Sequence, residues 1–586
     1  MIVSYKFSQK DRLFQPRRSA NLFRFAAFCL CAIALAFFAA GCLAGEPTTP
    51  EEEMPPVTTG NQTQPTDTDI PDDEARNGGP DLTDPFQRRP SQPGGTLRLW
   101  WPLDSQNHPL LVESRSEKAV FDLVFEGLFA VMDDQSLQPR LADSLSDPAD
   151  STQVTVRLAR GEVFHHGEPV TAPDVAACIA YILDHPEQSP YAAGLGSITG
   201  MTAEDDYTLI LELSEPQPWL AYQLTFPVLP AAYLDQRAND LIPGTGLFAM
   251  REWTDEQVLL LSKAQPSDDH SELRQISVRP YPDIRAALRG FSSDEIDLVF
   301  LDADLYQQYQ PRSSLRFRSF SGSRQVFLSY NTASGSFLAS ESRFLSLKHL
   351  VSRQFYQNLQ HPLGETAQIP LTIRTGLLEG QIPDPLTVLE SFSPPEWEDT
   401  AYTLTMIWPE GDAARHLLAA EIGQILEQAG VSWQQQPLAA TDFAQAVLSG
   451  DYDLALLEAV IPAAPDPGWL YLSEIDSRLD RHDIIPGGPD EQEEDTASQI
   501  TGMEFADYGY WQDNLRQMWR ARSPRQLMSG EDLALLLSHT AARAPWDGLV
   551  IRHEAILYSE RIIGVSRPDR FRPYEGIEDL WVWSTQ

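Results

Sequence analysis

Few side chains in this sequence have the types and spacing that catalysis or metal binding needs. The chain has no Gly-x-Ser-x-Gly, His-Glu-x-x-His, Cys-x-x-Cys or Gly-x-x-x-x-Gly-Lys motif. His165 and His166 are adjacent, and neighbouring side chains in an extended or turning backbone point to different sides, which disfavours a shared metal. Cys178 falls in an apolar helical pattern, typical of a buried small side chain. We therefore predict no catalytic residue, no metal site and no cofactor.

Cys42 is the side chain with the clearest chemical expectation. It follows a basic segment, Met1–Arg24, and an apolar run, Phe25–Ala40, that is shorter than the roughly 20 residues needed to span a bilayer. Small residues stand directly before the cysteine, and this order resembles a bacterial lipobox, with Ala39 where Leu is more common. We predict that residues 1–41 are a signal peptide and that Cys42 becomes a lipid anchor. The alternative is an uncleaved N-terminal anchor.

Charge and cysteine content limit the partners of the chain. The formal net charge is −41, and loss of the basic signal peptide makes it more negative. Such a body repels nucleic-acid phosphates and anionic head groups, so we expect no nucleic-acid partner and membrane attachment through lipid alone. Cys178 would be the one cysteine left besides the anchor, which excludes an intrachain disulfide.

Composition divides the chain into a tether and a folded body. Residues 42–93 are rich in Pro, Thr and acidic side chains and poor in large apolar ones, which predicts a disordered tether. A second such stretch, at about 486–500, predicts an acidic solvated loop within the body. Periodic stretches of both kinds lie between them: strands at 96–101 and 154–158, and helices at 174–183 and 414–429. This mixture predicts an α/β fold.

The most informative stretch is a strand, a turn and a helix start at residues 158–175, with the sequence LARGEVFHHGEPVTAPDV. Gly167 allows a tight turn, Thr171 can cap a helix, and Asp174 falls in its first turn, where the helix dipole favours negative charge. The whole string also resembles the signature of the bacterial extracellular solute-binding proteins of family 5. His166 stands where that family usually has Asp.

Further stretches resemble the same family and occur in the family's order. Together they cover residues 94–586, and the ordered set is far more specific than any single string. They are Phe125–Leu128 with Leu137–Ala142, Leu213–Pro216, Pro243–Gly246, Ala286–Gly290 with Glu295–Asp297, Ser329–Thr332, Gly450–Leu454, and Ala555–Ser559 with Gly564.

The resemblance implies a two-lobed clamshell of the type II periplasmic-binding-protein kind, an α/β fold with an additional small inserted domain. Ligand is held between the lobes as they close. Transferred to this chain, the plan predicts lobe I at 94–122, 223–325 and 548–586, the inserted domain at 123–222, and lobe II at 326–547.

The function implied is that of the substrate-binding lipoprotein of an ABC importer, an oligopeptide- or dipeptide-type protein. It would act as a monomer outside the cytoplasm, anchored to the bacterial cell membrane. It would capture a peptide or peptide-like solute and deliver it to a membrane permease and ATPase complex. The alternative is a clamshell sensor or scaffold lipoprotein that couples ligand occupancy to a signalling partner.

The candidate ligand-binding residues come from the same resemblance. Peptide-binding members hold the ligand's amine with an Asp at the position of Ala463, and a methyl group cannot pair with an ammonium. Either another acid, such as Glu458 or Asp466, replaces it, or the ligand has no free amine. The remaining candidates are Glu113 and Arg115 in one loop, Asn331, and the aromatic Trp469, with Trp101 as a second wall or a core residue.

Overall fold

The computed structural model describes residues 3–6, 95–464 and 542–582, apart from short gaps. The gaps are 104–107, 113, 149–150, 238–239, 255–258, 264–272, 310–314, 334, 358–359, 369–384, 392, 399–400, 543 and 565–566. The described residues belong to one compact unit, Met1–Lys6 with Ser91–Gln586, and the other unit, Phe7–Pro90, lies outside them. The predicted tether and acidic loop also lie outside them. Within the described part of the chain, no helix has the length and apolar character of a membrane span.

Strands and helices are mixed along the whole body, which confirms the α/β prediction. The strands are β1 Val3–Lys6, β2 Thr96–Pro102, β3 Phe129–Val131, β4 Leu137–Pro139, β5 Ala142–Leu145, β6 Gln153–Leu158, β7 Ile198–Asp205, β8 Thr208–Leu213, β9 Phe248–Trp253, β10 Leu259–Lys263, β11 Gln275–Tyr281, β12 Leu298–Leu301, β13 Arg316–Tyr330, β14 Gln360–His361, β15 Gly364–Thr366, β16 Thr403–Pro409, β17 Ser432–Leu438, β18 Leu454–Val460, β19 Trp546–Tyr558, β20 Ile562–Ile563 and β21 Trp581–Val582. The α-helices are α1 Arg115–Phe121, α2 Ala172–Asp184, α3 Ala192–Leu195, α4 Leu220–Gln223, α5 Ile284–Ser292, α6 Ala303–Tyr309, α7 Glu341–Phe355, α8 Pro385–Ser391, α9 Ala413–Gln428 and α10 Ala440–Ser449.

Three larger sheets organise the described residues. The first has the order β1-β7-β8-β6-β5 and is antiparallel; its edge strand β1 lies within the predicted signal peptide. The second, β2-β11-β10-β9, contains the parallel pair β2 and β11. The largest has the order β14-β15-β19-β13-β18-β16-β17, with β12 added on β19. In it, β16 pairs in parallel with β17 and β18, whereas the other pairs are antiparallel.

The turn before α2 forms as its sequence predicts. Gly167 has a φ of +91°, in the left-handed region that favours glycine. The backbone N and Oγ1 of Thr171 both donate to Oδ2 of Asp174, at 3.1 and 2.6 Å, so the Asp174 carboxylate caps the first turn of the helix. Local chemistry therefore fixes where this helix starts.

The body contains two large hydrophobic cores. The first core includes side chains of β2, α1, α2 and the five-stranded sheet, and the second includes side chains of α7, α9, β16 and β18. The long strands β13 and β19 contribute to both. Phe320 and Ile556 pack in the first core, whereas Val326 and Val550 pack in the second. The paired strands β13 and β19 therefore connect one core to the other.

The pairing of β13 and β19 is irregular where they pass between the cores. Ser321 pairs with His553 and Gln325 with Ile551, so three residues on β13 face one on β19. Gly322 lies in this bulge, and a Cβ there would collide with the carbonyl oxygen of Arg552. Bulges bend a strand and increase its local twist. We call residues 321–325 and 551–554 the strand junction.

Candidate functional site

Buried charges hold the strand junction together. The side chain of Arg552 is 2% exposed; its Nη1 donates to Oε2 of Glu458 at 3.0 Å, and its Nη2 donates to Asp304 at 2.6 Å and to Gln307 at 3.2 Å. Burial by itself lowers the pKa of Arg552, but the carboxylates of Glu458 and Asp304 more than offset this, so the pKa is raised. The charged guanidinium thereby ties α6 to β18 and β19.

Two arginines occupy both carboxylate oxygens of Glu458. Its carboxylate is 3% exposed, and its Oε1 accepts from Nη1 of Arg324 at 3.0 Å while Oε2 accepts from Arg552. A ligand ammonium at Glu458 would have to displace one of these guanidinium groups. This geometry weighs against the hypothesis that Glu458 replaces the acid missing at position 463.

Arg115, predicted to bind ligand, lies at the start of α1 and pairs with the strand junction. Its Nη1 and Nη2 both donate to the carboxylate of Glu554, a bidentate pair, and Nη2 also donates to the carbonyl oxygen of Arg570 at 2.7 Å. The guanidinium lies over the ring of Phe300. These contacts give Arg115 a structural role, and ligand binding by it stays a prediction.

Asn331, also predicted to bind ligand, follows β13 directly and is 4% exposed. Its Nδ2 donates to the carbonyl oxygens of Gly450 and Tyr452, both at 2.8 Å, and its Oδ1 accepts from the backbone N of Ala333 at 3.1 Å. The amide therefore joins the end of β13 to the turn before β18, so its polar atoms are already used. Its ligand contact also stays a prediction.

Four predicted residues lie outside the described residues: Cys42, Glu113, Asp466 and Trp469. Trp101 is described and is a core residue, 4% exposed, with its ring centroid 5.0 Å from that of Phe121.

The cysteine and the histidine pair have structural surroundings. Cys178 is fully buried in α2, and burial raises the pKa of its thiol to about 12, so it is a poor nucleophile at neutral pH. A ring nitrogen of His165 lies 2.8 Å from the carbonyl oxygen of Gly246, and a ring nitrogen of His166 lies 3.4 Å from Glu168. In the described ranges, no group of three His, Cys, Asp or Glu side chains is arranged to hold a metal.

An apolar cluster that includes Ala463 joins distant parts of the chain. We call it the bridging cluster; its members are Val131, Leu137, Trp219, Tyr222, Ala463, Ala464 and Phe571. Ala463 and Ala464 follow β18 of the second core, whereas Val131 and Leu137 flank the turn between β3 and β4. The position where the resemblance places an amine-binding acid is therefore packed against aromatic and aliphatic side chains.

Gln135 connects this turn to the segment after β18. Its side chain is fully buried, and its Nε2 donates to the carbonyl oxygens of Pro462 at 3.1 Å and Ala463 at 3.4 Å. Its own carbonyl oxygen accepts from the hydroxyl of Tyr222 at 2.7 Å. The backbone at Gln135 has a φ of +61°, which is uncommon for a residue with a side chain. Contacts on both sides therefore hold the residue in a strained conformation.

A cavity of about 410 Å³ begins at the same turn. This volume is within the range of small-molecule sites. Three arginines and three acidic side chains contribute to its wall, together with Phe320 and other residues. The lining residues are Met132, Asp133, Arg318, Ser319, Phe320, Arg567, Pro568, Asp569, Arg572 and Glu575. The cavity can therefore accommodate a polar solute with charged groups.

Asp569 is the most perturbed acid in the cavity wall. Burial raises its pKa to about 6, against the opposing effects of Arg572 and of two backbone N–H donors. Its Oδ1 accepts from the backbone N of Phe571 at 2.8 Å and of Arg572 at 2.7 Å. Nη2 of Arg572 lies 3.6 Å from its Oδ2.

Sequence reasoning missed Gln135 and the cavity residues. A signal for the first was present, because the polar run Asp133–Ser136 between two apolar stretches indicates a turn. The arginine-rich segment 567–572 was a weaker signal for the second. Neither pattern shows that the two segments meet.

Part of the chain matches a known protein family. Residues 136–350 match the model described as bacterial extracellular solute-binding proteins, family 5 Middle. The dipeptide-binding protein DppE of Bacillus subtilis is 23% identical over 210 residues, 32% of this chain and 39% of that protein. The periplasmic oligopeptide-binding protein OppA of Escherichia coli is 26% identical over 218 residues, 33% of this chain and 40% of that protein.

These alignments span less than half of either relative, but the likeness of fold extends further. The ABC transporter substrate binding protein CtaP from Listeria monocytogenes superposes with a TM-score of 0.61 over 84% of this chain and 100% of that one, at 18% identity. The fold is that of a two-lobed type II periplasmic binding protein. The family resemblance and fold class predicted from the sequence are confirmed.

Proposed function

We propose that this family-5 protein is the extracytoplasmic solute-binding component of an ABC importer and that it holds a peptide or peptide-like solute between two lobes. The observation that carries the proposal is the contact between the β3–β4 turn, in the inserted domain, and the segment after β18, in lobe II. A cavity of about 410 Å³, lined by residues of the inserted domain and lobe I, begins at the same turn. The cavity has the volume of a small-molecule site, and its charged wall suits a polar solute. The names of DppE and OppA support a peptide-like cargo.

The two cores suit a clamshell. In this proposal the first core lies in lobe I with its inserted domain and the second core lies in lobe II. Val550 packs in the second core, so the boundary on β19 lies a few residues beyond the predicted residue 548. The strand junction is then the hinge, because the bulge at Gly322 gives β13 a local bend. Closure is a population shift toward the state in which both lobes contact the solute.

The junction charges would keep the hinge strands in register during this motion. Arg552 and Glu458 bind each other and lie on the two strands that flank β13. Movement would occur instead at the bridging cluster and at the Gln135 hydrogen bonds, since these join the β3–β4 turn to the segment after β18.

Membrane attachment and delivery complete the proposal. Cys42 would carry the lipid, and residues 42–93 would let the body reach a permease whose ATPase drives import. Because the net charge of −41 repels anionic head groups, attachment of the protein to the membrane depends on the lipid carried by Cys42. No reaction is assigned to the chain.

A thermal-shift experiment on the mature chain in detergent tests the solute-binding role. Di- to pentapeptides, N-acetylated peptides, sugars, metal chelates and haem would each be added at graded concentrations. A ligand that binds only the folded state raises the melting temperature by mass action, about 2.7 kcal/mol of stabilisation at a hundredfold excess over Kd. We expect a saturable rise with peptide-like ligands. A flat response to the whole panel would favour the sensor or scaffold alternative.

A further inference from the structure

The cavity beside the β3–β4 turn has a buried floor and an exposed mouth. Asp569 and Phe320 in its wall are buried, whereas Arg318, Ser319 and Arg567 in the same wall are exposed. The Asp569 side chain is not sealed off, because 7% of its surface is accessible to solvent. A solute that enters past the exposed arginines therefore meets an acid inside.

Two charges of the wall neutralise each other and leave the rest for a solute. Nη1 of Arg572 lies 3.0 Å from Oε2 of Glu575, and both side chains are partly buried. Asp133, from the β3–β4 turn, has a polar interaction of its own within the protein. The charges that remain are the acid of Asp569 inside and the guanidinium groups of Arg318 and Arg567 at the mouth.

The fold compensates the charge of Asp569 only in part. Two backbone N–H groups donate to Oδ1, whereas the nearer guanidinium nitrogen of Arg572 to Oδ2 is 3.6 Å away, since that group is engaged by Glu575. Burial raises the pKa of Asp569 to about 6, and the negative charge of Asp133 adds to the shift. A buried acid in a cavity, with its ionised form not fully stabilised by the protein, gains from a cation that a ligand brings.

The arginines at the mouth are free to receive an anion. Nη2 of Arg567 lies 3.8 Å from Asp579, but the two side chains are 69% and 47% exposed, and exposed pairs of this kind contribute little. Among the described residues, none forms an ion pair with Arg318. The planar guanidinium fork matches the geometry of a carboxylate.

The order of these charges decides between ligand classes. A solute with only a positive charge would have to pass two guanidinium groups, and one with only a negative charge would meet Asp133 and Asp569 inside. A solute with a cation at one end and an anion at the other complements both parts of the wall.

We propose that this cavity binds a zwitterionic solute, with the ammonium group of the solute at Asp569 and its carboxylate at Arg318 and Arg567. A short peptide with both termini free is the simplest such solute. The inference rests on the proposed solute-binding function and specifies its ligand class. Asp569, rather than Glu458, is then the acid that pairs with the amine of the ligand.

Matched peptides test the proposal. Di- to tetra-alanine would be titrated into the mature chain in detergent with both termini free, N-acetylated, C-amidated or blocked at both ends, and Kd measured by calorimetry. We expect each block to weaken binding by roughly tenfold, because each removes one charge-assisted contact. Equal affinity of free and blocked peptides, or binding by other solutes but by no alanine peptide, would overturn the inference and leave solute binding intact. No binding by any solute of the thermal-shift panel would count against both proposals.

The pH dependence gives a second readout. The termini of a peptide keep their charges between pH 5 and 7, whereas about a tenth of Asp569 is ionised at pH 5 and about nine-tenths at pH 7. An ammonium favours the ionised acid, so the affinity for free peptides should rise roughly tenfold from pH 5 to pH 7. The other charged groups that face Asp569 are Arg318 on β13, Asp133 in the turn, and Arg567, Arg572 and Glu575 on its own segment. An affinity that falls with rising pH would indicate an anion at Asp569 and would refute the assignment.

Variants locate the two contacts. Asp569→Asn should abolish both the preference for a free amine and the rise with pH, and the double variant Arg318→Gln with Arg567→Gln should abolish the preference for a free carboxylate. Asp143→Asn on β5 and Arg157→Gln on β6 make the same changes on exposed side chains outside the cavity and should alter neither preference. Circular dichroism checks folding. A folded Asp569→Asn variant that still prefers free amines would disprove the role of Asp569.

Discussion

Replacing Lys348 by methionine should strongly destabilise the second core. Lys348 lies on α7 with its side chain fully buried, and its Nζ donates to Asp547 at 2.8 Å and to the carbonyl oxygens of Ala544 and Trp546 at 3.0 and 2.6 Å. Burial lowers the pKa of this lysine, while the Asp547 carboxylate opposes the shift. The methionine removes the cation and leaves the buried Asp547 carboxylate without a charged partner.

The contacts that remain around Asp547 limit the size of the effect. Its Oδ2 still accepts from the hydroxyls of Tyr330 at 2.8 Å and Ser352 at 3.1 Å. These neutral donors do not replace a charge, and breaking a buried pair by removing one partner costs about 3–5 kcal/mol. Because whole domains are stable by about 5–15 kcal/mol, this loss is a large fraction of the total.

Urea unfolding of the mature chain measures this loss, and a double-mutant cycle separates charge from packing. Lys348→Met combined with Asp547→Asn should be less destabilised than the sum of the two single variants, because no uncompensated charge remains. Lys118→Met is the control: that side chain is 37% exposed and pairs with Asp122 one turn away, so less than about 1 kcal/mol should be lost. A loss below about 1 kcal/mol for Lys348→Met, or strictly additive single variants, would refute the reasoning.

Three further changes test the junction, the cavity and the anchor. Glu458→Gln should lower the free energy of unfolding by about 2–3 kcal/mol, because two arginines lose a charged acceptor, and it should not change the selectivity for amines. The control Glu410→Gln, on an exposed side chain, should have almost no effect on the free energy of unfolding. A loss of amine affinity in Glu458→Gln would contradict the structural role of Glu458. Asp569 has a folded-state pKa of about 6, above its ordinary 3.8. Its contribution to the free energy of unfolding is therefore complete below pH 4 and is lost as the pH rises through 6. The total loss should be about 3 kcal/mol. Asp569→Asn should remove this slope from unfolding measured between pH 4 and 8, and an unchanged slope would disprove the assignment. Cys42→Ala should release the folded protein from the membrane fraction, and persistent attachment would contradict the lipid anchor.

Local features were predictable because their causes lie close together in the sequence. The strand β6, the turn at Gly167 and the capped start of α2 depend on periodicity and on hydrogen bonds within three residues, and all form as predicted. The ordered family strings likewise led to the fold class, which the comparisons confirm. The predicted anchor, domain boundaries and ligand contacts remain predictions.

The candidate site depended on contacts that no local pattern specifies. Sequence reasoning proposed Arg115 and Asn331 as ligand contacts, and the structure shows that their polar groups bind Glu554 and two backbone carbonyls. Glu458 was an open candidate for an amine partner, and two arginines occupy it. A side chain's type indicates which partners suit it, but the fold decides which of them it meets.

The sequence by itself determined the compartment expected for the chain, its α/β elements and its family resemblance, because signal composition, periodicity and turn chemistry depend on neighbouring residues. Only the tertiary structure decided that Gln135 meets Pro462, 327 residues away, and that Ala463 packs against an apolar cluster. Such contacts arise from the register of β13 on β19 and from the path of the chain between two cores. Burial then raises the pKa of an ordinary aspartate, Asp569, since desolvation acts only once the distant segments are packed together.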